Sequence, residues 1–352
     1  MITNAITQAV AMKASDVHIV KGIPVRFRVD GLIVNMDDHV LTAADCEAYV
    51  NSISPTVLKE TKEKGEVDLA ITVAGRRCRV NVFMQQNACS VVLRILNDKI
   101  PSLEGLGLPD VVATFPNYRN GLVLVTGETG SGKSTTLAAV LNSINLNSPK
   151  HIITLEDPIE YVYTPAKCVI NQREIGRDTK SFANGLRAAL REDPDVILVG
   201  EMRDLDTIET ALTAAETGHL VFGTVHTNSA ADAVDRIVDV FPEGRQRQIR
   251  LQLSMTLKAV VSQQLLRKKA GGRAAACEVM IVDHAIRNLI REGKTPQIAN
   301  ALQTSAENGC ITMQSAVMNL LSAGLITREV AMGALDSDSF GAFGGGGLKT
   351  RI

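Results

Sequence analysis

The sequence predicts an α/β fold built around a parallel β-sheet with helices on both faces. Four short apolar runs alternate with longer segments of helical spacing, and these runs lie at 122–125, 152–155, 196–199 and 220–225. Strands that are buried on both faces show such continuous apolar runs, and their alternation with helices is typical of parallel sheets. A glycine-rich segment, 127–134, also lies between the first run and a helical segment, which is the arrangement of a strand–loop–helix unit.

The first hundred residues show the pattern of a smaller α+β domain instead. Apolar residues at helical spacing predict a helix over 2–10. Alternating apolar residues predict strands at 25–29, 32–34, 67–73, 77–83 and 90–96. Asp30 and Gly31 are typical turn residues, so the first two of these strands should form a hairpin. Thr42 and Asp45 have the spacing of a helix capping box.

Changes in composition divide the chain into five predicted segments. They are an α+β domain at 1–98, a linker at 99–114, the sheet-containing core at 115–270, a mainly helical region at 271–336 and a flexible glycine-rich tail at 337–352. Prolines and glycines mark the linker, and Gly271 with Gly272 marks the end of the core. The run of four glycines at 344–347 favours a flexible tail.

The composition argues against several classes of protein. The formal net charge of the 352 residues is −1, 3% of them are aromatic and none is Trp, which argues against a surface that binds nucleic acid. The six cysteines include no C-x-x-C pair, so neither a zinc site nor a disulfide framework is predicted, and a reducing cytoplasm fits. Neither a signal peptide nor a membrane-spanning apolar segment is predicted, so any association with a membrane should depend on a partner.

Residues 127–134 fit G-x-x-x-x-G-K-[ST], the pattern of a loop that binds the phosphates of a nucleoside triphosphate. Glycines allow backbone N–H groups to point at phosphate oxygens, and the start of a helix adds positive potential. Lys133 can reach the β- and γ-phosphates, and the Ser134 hydroxyl can ligate Mg²⁺. The predicted nucleotide-binding residues are Gly127, Thr129, Gly130, Ser131, Gly132, Lys133, Ser134 and Thr135.

Carboxylates follow two of the predicted strands and could turn nucleotide binding into hydrolysis. Glu201 lies just beyond the third apolar run, at the strand end that faces the ligand crevice in a parallel sheet. There it can hold Mg²⁺ through water or polarise a nucleophile. Glu156, Asp157 and Glu160 follow the second run and could orient a water molecule and bind the metal, although the sequence does not divide these roles among them.

Two histidines and three arginines have two interpretations each. His219 and His226 flank the fourth apolar run, and each could report nucleotide state to a neighbouring subunit or be an ordinary polar residue at a strand end. Arg77, Arg79 and Arg94 lie on predicted strands of the first domain. Arginines on alternating strands usually face solvent, and the alternative is an arginine finger that neutralises charge from an adjacent domain or subunit.

Taken together, these segments resemble the secretion-ATPase superfamily of RecA-like hexamers and, more closely, its type IV pilus retraction ATPases. The resemblance runs from Ala14 to about Asp336, which is nearly the whole chain. Its motifs, in order, are Walker A at 127–134, the Asp box at 156–160, Walker B at 198–204, the His box at 218–227 and a retraction-associated segment at 285–294.

The resemblance implies roles for the residues named above, with ATP as the substrate and Mg²⁺ as the cofactor. Glu160 would be the general base and Glu201 the Mg²⁺-linked Walker B carboxylate, while His219 and His226 would respond to the nucleotide. The resemblance also strengthens the case that the three arginines act as fingers between subunits, without saying which of them does. The stretch 86–89 is less basic than in many relatives, which leaves the geometry of these fingers open.

For the assembly, the resemblance implies a homo-hexamer at the cytoplasmic face of the inner membrane, with a RecA-like ATPase core and a PAS-like N-terminal domain. The N-terminal domain of one subunit would pack against the core of the next. Hydrolysis would act on an inner-membrane platform protein and withdraw the pilus for twitching motility, without direct contact to nucleic acid. Pilus assembly ATPases usually carry an additional N-terminal domain and a tetracysteine zinc motif, and their absence from this sequence favours retraction.

Three alternatives remain open at this point. Within the same class, the chain could be an accessory pilus ATPase or a type IV secretion or conjugation ATPase. From a different class, it could be a RecA-type nucleic-acid motor, although the near-neutral charge and the few aromatic residues count against that. It could also be a nucleotide-switched scaffold that binds ATP and barely hydrolyses it.

Overall fold

The structure, a computed structural model, describes residues 1–29, 31–96 and 99–335. Asp30 of the predicted turn and the predicted tail at 337–352 lie outside the described residues. Among the described helices, none is both long enough and apolar enough to cross a membrane.

Contacts within the chain separate it into two units. The N-terminal unit comprises residues 1–99 together with 158–162, and the C-terminal unit comprises the other described residues. The segment 158–162 thus belongs with the first unit, although its neighbours in the sequence belong with the second. The division into five segments stays a prediction, since these units follow contacts rather than composition.

The N-terminal unit is an antiparallel sheet with helices, as expected for an α+β domain. Its described helices are α1 (Ile2–Ala11), α2 (Ala43–Ile53) and α3 (Pro55–Lys64). Its described strands are β1 (Asp16–Ile19), β2 (Arg26–Val29), β3 (Leu32–Asn35), β4 (Glu66–Val73), β5 (Arg76–Gln85) and β6 (Ala88–Ile95). They pair in the order β3-β2-β1-β6-β5-β4, and the predicted hairpin of β2 and β3 is confirmed.

Alternation of side chains decides which face of this sheet is buried. Val17, Phe27 and Leu93 belong to three neighbouring strands, face one another and are fully buried. Arg79 and Arg94 lie directly opposite each other on β5 and β6, and both are exposed. Because successive side chains of a strand point to opposite faces, the apolar residues form the core and the arginines line the outer face.

The start of α2 contains the predicted capping box. The Thr42 hydroxyl accepts a hydrogen bond from the Asp45 backbone N–H (3.2 Å), and the Asp45 carboxylate accepts one from the Thr42 backbone N–H (2.8 Å). These contacts satisfy N–H groups at the helix start. Hydrogen bonds from the Thr42 hydroxyl and backbone also lower the pKa of the Asp45 carboxyl group. The capping box is therefore confirmed.

The C-terminal unit contains the predicted parallel sheet. Its described strands are β7 (Gly121–Thr126), β8 (His151–Glu156), β9 (Val169–Glu174), β10 (Val196–Val199), β11 (Leu220–Val225), β12 (Leu257–Arg267) and β13 (Arg273–Ile281). Its described helices are α4 (Lys133–Asn147), α5 (Phe182–Ala189), α6 (Leu205–Glu216), α7 (Ala230–Asp239), α8 (Glu243–Thr256), α9 (His284–Glu292), α10 (Ile298–Thr304), α11 (Met313–Ser322) and α12 (Arg328–Ala334).

The order of the described strands in this sheet is β13-β12-β7-β11-β10-β8-β9. β13 runs antiparallel to β12, and all other neighbours in the order are parallel. The four predicted apolar runs are the adjacent central strands β7, β11, β10 and β8. The predicted α/β fold is therefore confirmed.

The predicted boundary between the core and the helical region falls inside a hairpin. β13 pairs with β12 along its whole length, and Arg267 faces Arg273 next to the turn. The segment 271–336 therefore begins with the edge strand of the sheet, and its helices start only at α9. The three alanines of β13 have a high helix propensity, and pairing with β12 makes this segment a strand.

Parallel pairing brings the carboxyl ends of the central strands to one edge of the sheet. Thr126 at the end of β7 pairs with Val225 of β11, and Val199 of β10 pairs with Gly223. The residues that immediately follow these strands therefore lie at the same edge. They include the glycine-rich loop, Glu201 and His226.

Candidate active site

The glycine-rich loop connects β7 to α4 and closely approaches β12. A Cβ atom on Gly127 would lie 2.3 Å from the Gln263 carbonyl oxygen, and one on Gly132 would lie 2.7 Å from the Gln263 side-chain nitrogen. Both glycines have a positive φ, 140° and 95°, which residues with side chains rarely adopt. The backbone conformation therefore favours glycine at both positions, and at Gly127 the backbone of β12 also leaves no room for a side chain.

Lys133 is the first residue of α4, and it is buried. Its ammonium group donates hydrogen bonds to the carbonyl oxygens of Gly127 (2.6 Å) and Glu128 (2.9 Å). These contacts hold a positive charge inside the loop and beside a helix N-terminus, where an anion is favoured. The arrangement suits the binding of phosphate groups.

The other predicted loop residues surround the same helix start. The Ser131 hydroxyl oxygen is buried and has no hydrogen-bond partner within the described part of the chain. Ser134 is exposed and Thr135 is half-buried in the first turn of α4, and Thr129 and Gly130 are exposed. Because a buried polar atom without a partner is costly, the Ser131 hydroxyl is suited to contact a bound anion.

Sequence analysis missed Gln263, a buried residue of β12 that contacts the loop. The Thr136 hydroxyl donates a hydrogen bond to the Gln263 side-chain oxygen (2.8 Å), and both side chains are buried. This contact joins the first turn of α4 to β12 beside Gly132. Gln263 belongs to no motif. The one feature that could have pointed to it is an amide side chain within an apolar segment, because a buried amide needs a hydrogen-bond partner.

Glu201 and His226 come together beyond the ends of β10 and β11. The Glu201 carboxylate oxygen lies 3.0 Å from His226 Nε2. The same carboxylate accepts a hydrogen bond from Arg203. Arg203 was not among the predicted site residues. These residues and Arg236 of α7 line a cavity of about 310 Å³. The cavity thus combines a carboxylate, an imidazole and two guanidinium groups.

The pKa of His226 lies below its ordinary value of 6.5. Burial is the largest cause, and the positive charge of Lys133 lowers the pKa further, whereas the Glu201 carboxylate opposes the shift. His226 is therefore mainly neutral at pH 7, so one ring nitrogen can donate a hydrogen bond while the other accepts one. The neighbouring Thr227 backbone N–H donates a hydrogen bond to the Thr126 hydroxyl (3.2 Å), directly before the phosphate-binding loop, so His226 lies close to this loop.

The carboxylates that follow β8 divide between the two units. Glu156 ends β8 in the C-terminal unit, and it accepts a hydrogen bond from the Thr154 hydroxyl (2.6 Å). Glu160 lies in the segment 158–162, which belongs with the N-terminal unit. The role of Glu160 as a general base stays a prediction.

His219 lies at the opposite end of β11 from His226. Its Nδ1 lies 3.0 Å from the carbonyl oxygen of Ala214 in α6. The adjacent Leu220 pairs with Gly121, at the start of β7. At about 3.3 Å per residue, the length of β7 separates this level from the phosphate-binding loop by about 20 Å. The structure therefore does not bring His219 to the loop of its own chain, and its response to nucleotide stays a prediction.

The three predicted arginine fingers lie on the outer face of the N-terminal sheet. Arg94 Nε donates a hydrogen bond to the Asp16 carboxylate (3.0 Å), and Arg77 Nε donates one to the Ile159 carbonyl oxygen (3.4 Å). Arg79 is exposed beside Arg94. All of these contacts lie within the N-terminal unit, so the finger role of each arginine stays a prediction.

The chain is similar to known secretion and pilus proteins over nearly its whole length. The family described as type II/IV secretion system protein matches residues 1–331. The type IV pilus retraction ATPase PilT of Pseudomonas aeruginosa is 48% identical over 332 residues, which cover 94% of this chain and 96% of that protein. A twitching motility protein of Neisseria gonorrhoeae is 53% identical over 268 residues, which cover 76% of this chain and 72% of that protein. A crystal structure of the pilus retraction motor PilT with bound ADP superimposes on this chain with a TM-score of 0.91 and 48% sequence identity. The match covers 97% of this chain and 99% of that chain.

Proposed function

This chain belongs to the family of type II/IV secretion system proteins, and we propose that it is a Mg²⁺-dependent ATPase that drives the retraction of a type IV pilus. The observation that carries the proposal is the meeting of the phosphate-binding loop, Glu201 and His226 at one edge of the sheet. The similarity to PilT, which is named as a retraction ATPase, favours pili over other secretion systems.

In this proposal the residues of the loop bind the triphosphate of ATP. Lys133 exchanges its contacts with loop carbonyl oxygens for contacts with β- and γ-phosphate oxygens. Backbone N–H groups of the loop and of the first turn of α4 donate to the remaining phosphate oxygens. The buried Ser131 hydroxyl, which has no partner among the residues described, gains an acceptor.

The side chains at this edge also fit Mg²⁺, which prefers hard oxygen ligands. Ser134 offers an exposed hydroxyl in the first turn of α4, and Glu201 offers a carboxylate. We assign Ser134 as a direct ligand and Glu201 as a ligand through water. Bound together with ATP, the ion would neutralise charge on the phosphates.

Hydrolysis requires that a water molecule attack the γ-phosphorus while the bond between this phosphorus and the bridging oxygen of ADP breaks. We assign Glu160 as the general base that takes the proton of this water. Glu201 polarises the reacting groups, and the one N–H of the neutral His226 imidazole, at Nε2, orients the Glu201 carboxylate. Glu201 contacts His226 and Arg203, and it would hold Mg²⁺ through water when the ion is bound.

We further propose that six copies form a ring at the cytoplasmic face of the inner membrane. An arginine among Arg77, Arg79 and Arg94 would complete the site of a neighbouring copy, and the exposure of Arg79 and Arg94 on the outer face of the N-terminal sheet supports this. The ring would act on an inner-membrane platform protein, so that hydrolysis withdraws pilin subunits from the base of the fibre.

Deletion of the gene tests retraction in cells. We expect the deletion strain to keep surface pili and to lose twitching motility, because pili would still assemble but would not be withdrawn. The parent gene should restore motility, whereas a gene encoding Lys133→Ala should not. A deletion strain without surface pili would contradict retraction and indicate assembly, and one with normal twitching would contradict a principal role.

A further inference from the structure

The loop between β11 and α7 carries His226 and is held at both ends. At one end, the Thr227 backbone N–H donates a hydrogen bond to the hydroxyl oxygen of Thr126, which directly precedes the phosphate-binding loop (3.2 Å). At the other end, the backbone N–H of Ala230, the first residue of α7, donates to the Glu278 carboxylate (2.8 Å). A shift of His226 on nucleotide binding would therefore act on one or both of these contacts.

Glu278 of β13 has a second backbone partner, in the C-terminal helices. Its other carboxylate oxygen accepts a hydrogen bond from the backbone N–H of Met313, the first residue of α11 (3.4 Å). Burial raises the pKa of Glu278, its two backbone hydrogen bonds oppose that shift, and the charge of Asp232 on α7 adds to it. Glu278 is half-buried, and its two oxygens contact the first backbone N–H groups of two different helices, α7 and α11.

The hairpin of β12 and β13 connects Glu278 to the nucleotide site. Ser262 of β12 faces Glu278, and the next residue, Gln263, contacts the phosphate-binding loop. On the other side, Val279 and Ile311 exchange two backbone hydrogen bonds (both 2.8 Å) just before α11 begins. One strand of the hairpin thus touches the loop, the other touches the segment that starts α11, and Glu278 lies at the junction.

We propose that Glu278 is a positioning residue for His226 and that it transmits nucleotide state from the active site to helix α11. The inference rests on the proposed ATPase function and adds a connection that the site residues do not supply. A shift of His226 displaces the Ala230 N–H and with it one oxygen of Glu278, and the other oxygen passes the change to Met313. Because each contact is a step in one path, loss of either should break the coupling.

Glu278→Gln tests the carboxylate with little change in size. Glutamine keeps one acceptor oxygen but places an N–H donor opposite the second backbone N–H, so one of the two contacts is lost. We expect kcat for ATP hydrolysis to fall about tenfold while KM and the affinity for ADP stay within about twofold, because the phosphate-binding loop is unchanged. A lower melting temperature with kcat unchanged at temperatures well below it would indicate a structural role and overturn the proposal.

A matched pair of substitutions at Met313 separates the backbone contact from the side chain. Met313→Pro removes the N–H that donates to Glu278, at a helix position where proline is tolerated, and the preceding Thr312 already has an extended backbone (ψ 152°). Met313→Ala shortens the side chain and keeps the N–H. These two variants therefore differ at the contact under test.

Hydrogen exchange of α11, measured on the full chain with and without ADP, gives the second readout. We expect ADP to change the exchange of α11 in the parent and in Met313→Ala, but not in Met313→Pro or in Glu278→Gln. An equal response to ADP in all four proteins, or no response in the parent, would overturn the proposal.

The kcat of the parent protein separates a wrong coupling from a wrong activity. If the parent hydrolyses ATP and Glu278→Gln matches its kcat, the coupling is wrong and the ATPase assignment stands. If the parent does not hydrolyse ATP, the proposed function fails, and the exchange experiment with ADP still decides whether nucleotide binding reaches α11.

Discussion

At the scale of single residues, nucleotide binding and hydrolysis depend on different groups. Lys133 lies inside the phosphate-binding loop, where it contacts carbonyl oxygens of the loop itself. Glu201 follows a different strand, and it contacts His226 and Arg203 instead. Loss of either group should therefore impair a different step, although both lie at one edge of the sheet.

Lys133→Ala should lose nucleotide binding, because the phosphates lose their cationic partner.

Glu201→Gln should keep nucleotide affinity within a few-fold and lose about a hundredfold or more in kcat, since the carboxylate acts on the reacting groups. Binding of a fluorescent ADP analogue and release of phosphate measure the two steps, with the exposed Lys180→Ala as the control. Turnover of Glu201→Gln at the parent rate would show that the Walker B assignment is wrong.

His226 should take up part of a proton when nucleotide binds. Its pKa lies below 6.5 because of burial and the charge of Lys133, and bound phosphates would offset that charge and raise the pKa. By linkage, a ligand that raises the pKa binds more tightly as the pH falls through it. Calorimetry of ADP binding at about pH 6.5, in buffers of different ionisation enthalpy, should show more proton uptake in the parent than in His226→Asn. Equal uptake would contradict the placement of His226 beside the phosphates.

At the scale of elements, the approach of β12 to the phosphate-binding loop explains why the loop requires glycine. Gln263 touches the loop through its backbone oxygen and through its side-chain amide. Its side chain also accepts the hydrogen bond from Thr136 in α4. The loop is therefore shaped by a strand that lies about 130 residues later in the chain, in addition to its own sequence.

Gly132→Ala should destabilise the protein more than Gly176→Ala does. Both glycines have a positive φ, 95° and 83°, so alanine is strained at each by about 1–2 kcal/mol. At Gly132 the added Cβ would also lie 2.7 Å from the Gln263 side-chain nitrogen, whereas at Gly176 nothing lies within 4 Å. The Gln263 amide would have to move and weaken its buried hydrogen bond with Thr136. We therefore expect a further loss of about 1 kcal/mol in the free energy of unfolding, measured in urea. Equal losses in the two variants would contradict the contact.

Sequence patterns predicted most of the described strands, whereas β1, β9, β12 and β13 were missed. Helix α1, the hairpin of β2 and β3, and the four central strands of the second sheet followed from the spacing of apolar residues. β1 has only four residues, too few to show a clear alternation. β13 is rich in alanine, so pairing with β12 rather than local preference decides its structure.

At the scale of the whole molecule, the proposed ring requires residues from two copies at each site. Arg79 is exposed on the N-terminal sheet, and Lys133 lies in the loop of the C-terminal unit. If the arginine acts on a neighbouring copy, defects in these two residues belong to different sites of the ring. They should therefore complement each other in mixed rings.

Mixing Arg79→Ala subunits with Lys133→Ala subunits should restore part of the ATPase activity that each variant lacks alone. In a mixed ring, a Lys133→Ala subunit supplies an intact Arg79 to a neighbour whose own loop is intact. A mixture of Lys133→Ala and Glu201→Gln subunits is the control. We expect no restored activity there, because every subunit of such a ring carries a defect in its own C-terminal unit. Light scattering on a sizing column checks that hexamers form. No restoration in rings that have exchanged subunits would contradict a finger at Arg79, and the same test with Arg77 and Arg94 compares the three.

Local sequence patterns were enough to predict the α/β fold, the phosphate-binding loop and the position of Glu201 after a buried strand. These features depend on local spacing and on the rule that residues beyond parallel strands meet at one edge. No local pattern could show that His226 rather than His219 lies beside the loop, because the pairing register of β11 against β7 sets which strand end is near. The tertiary structure also brings Gln263 and Glu278 to their hydrogen-bond partners, which lie far away in the sequence, and no local pattern records contacts between distant segments.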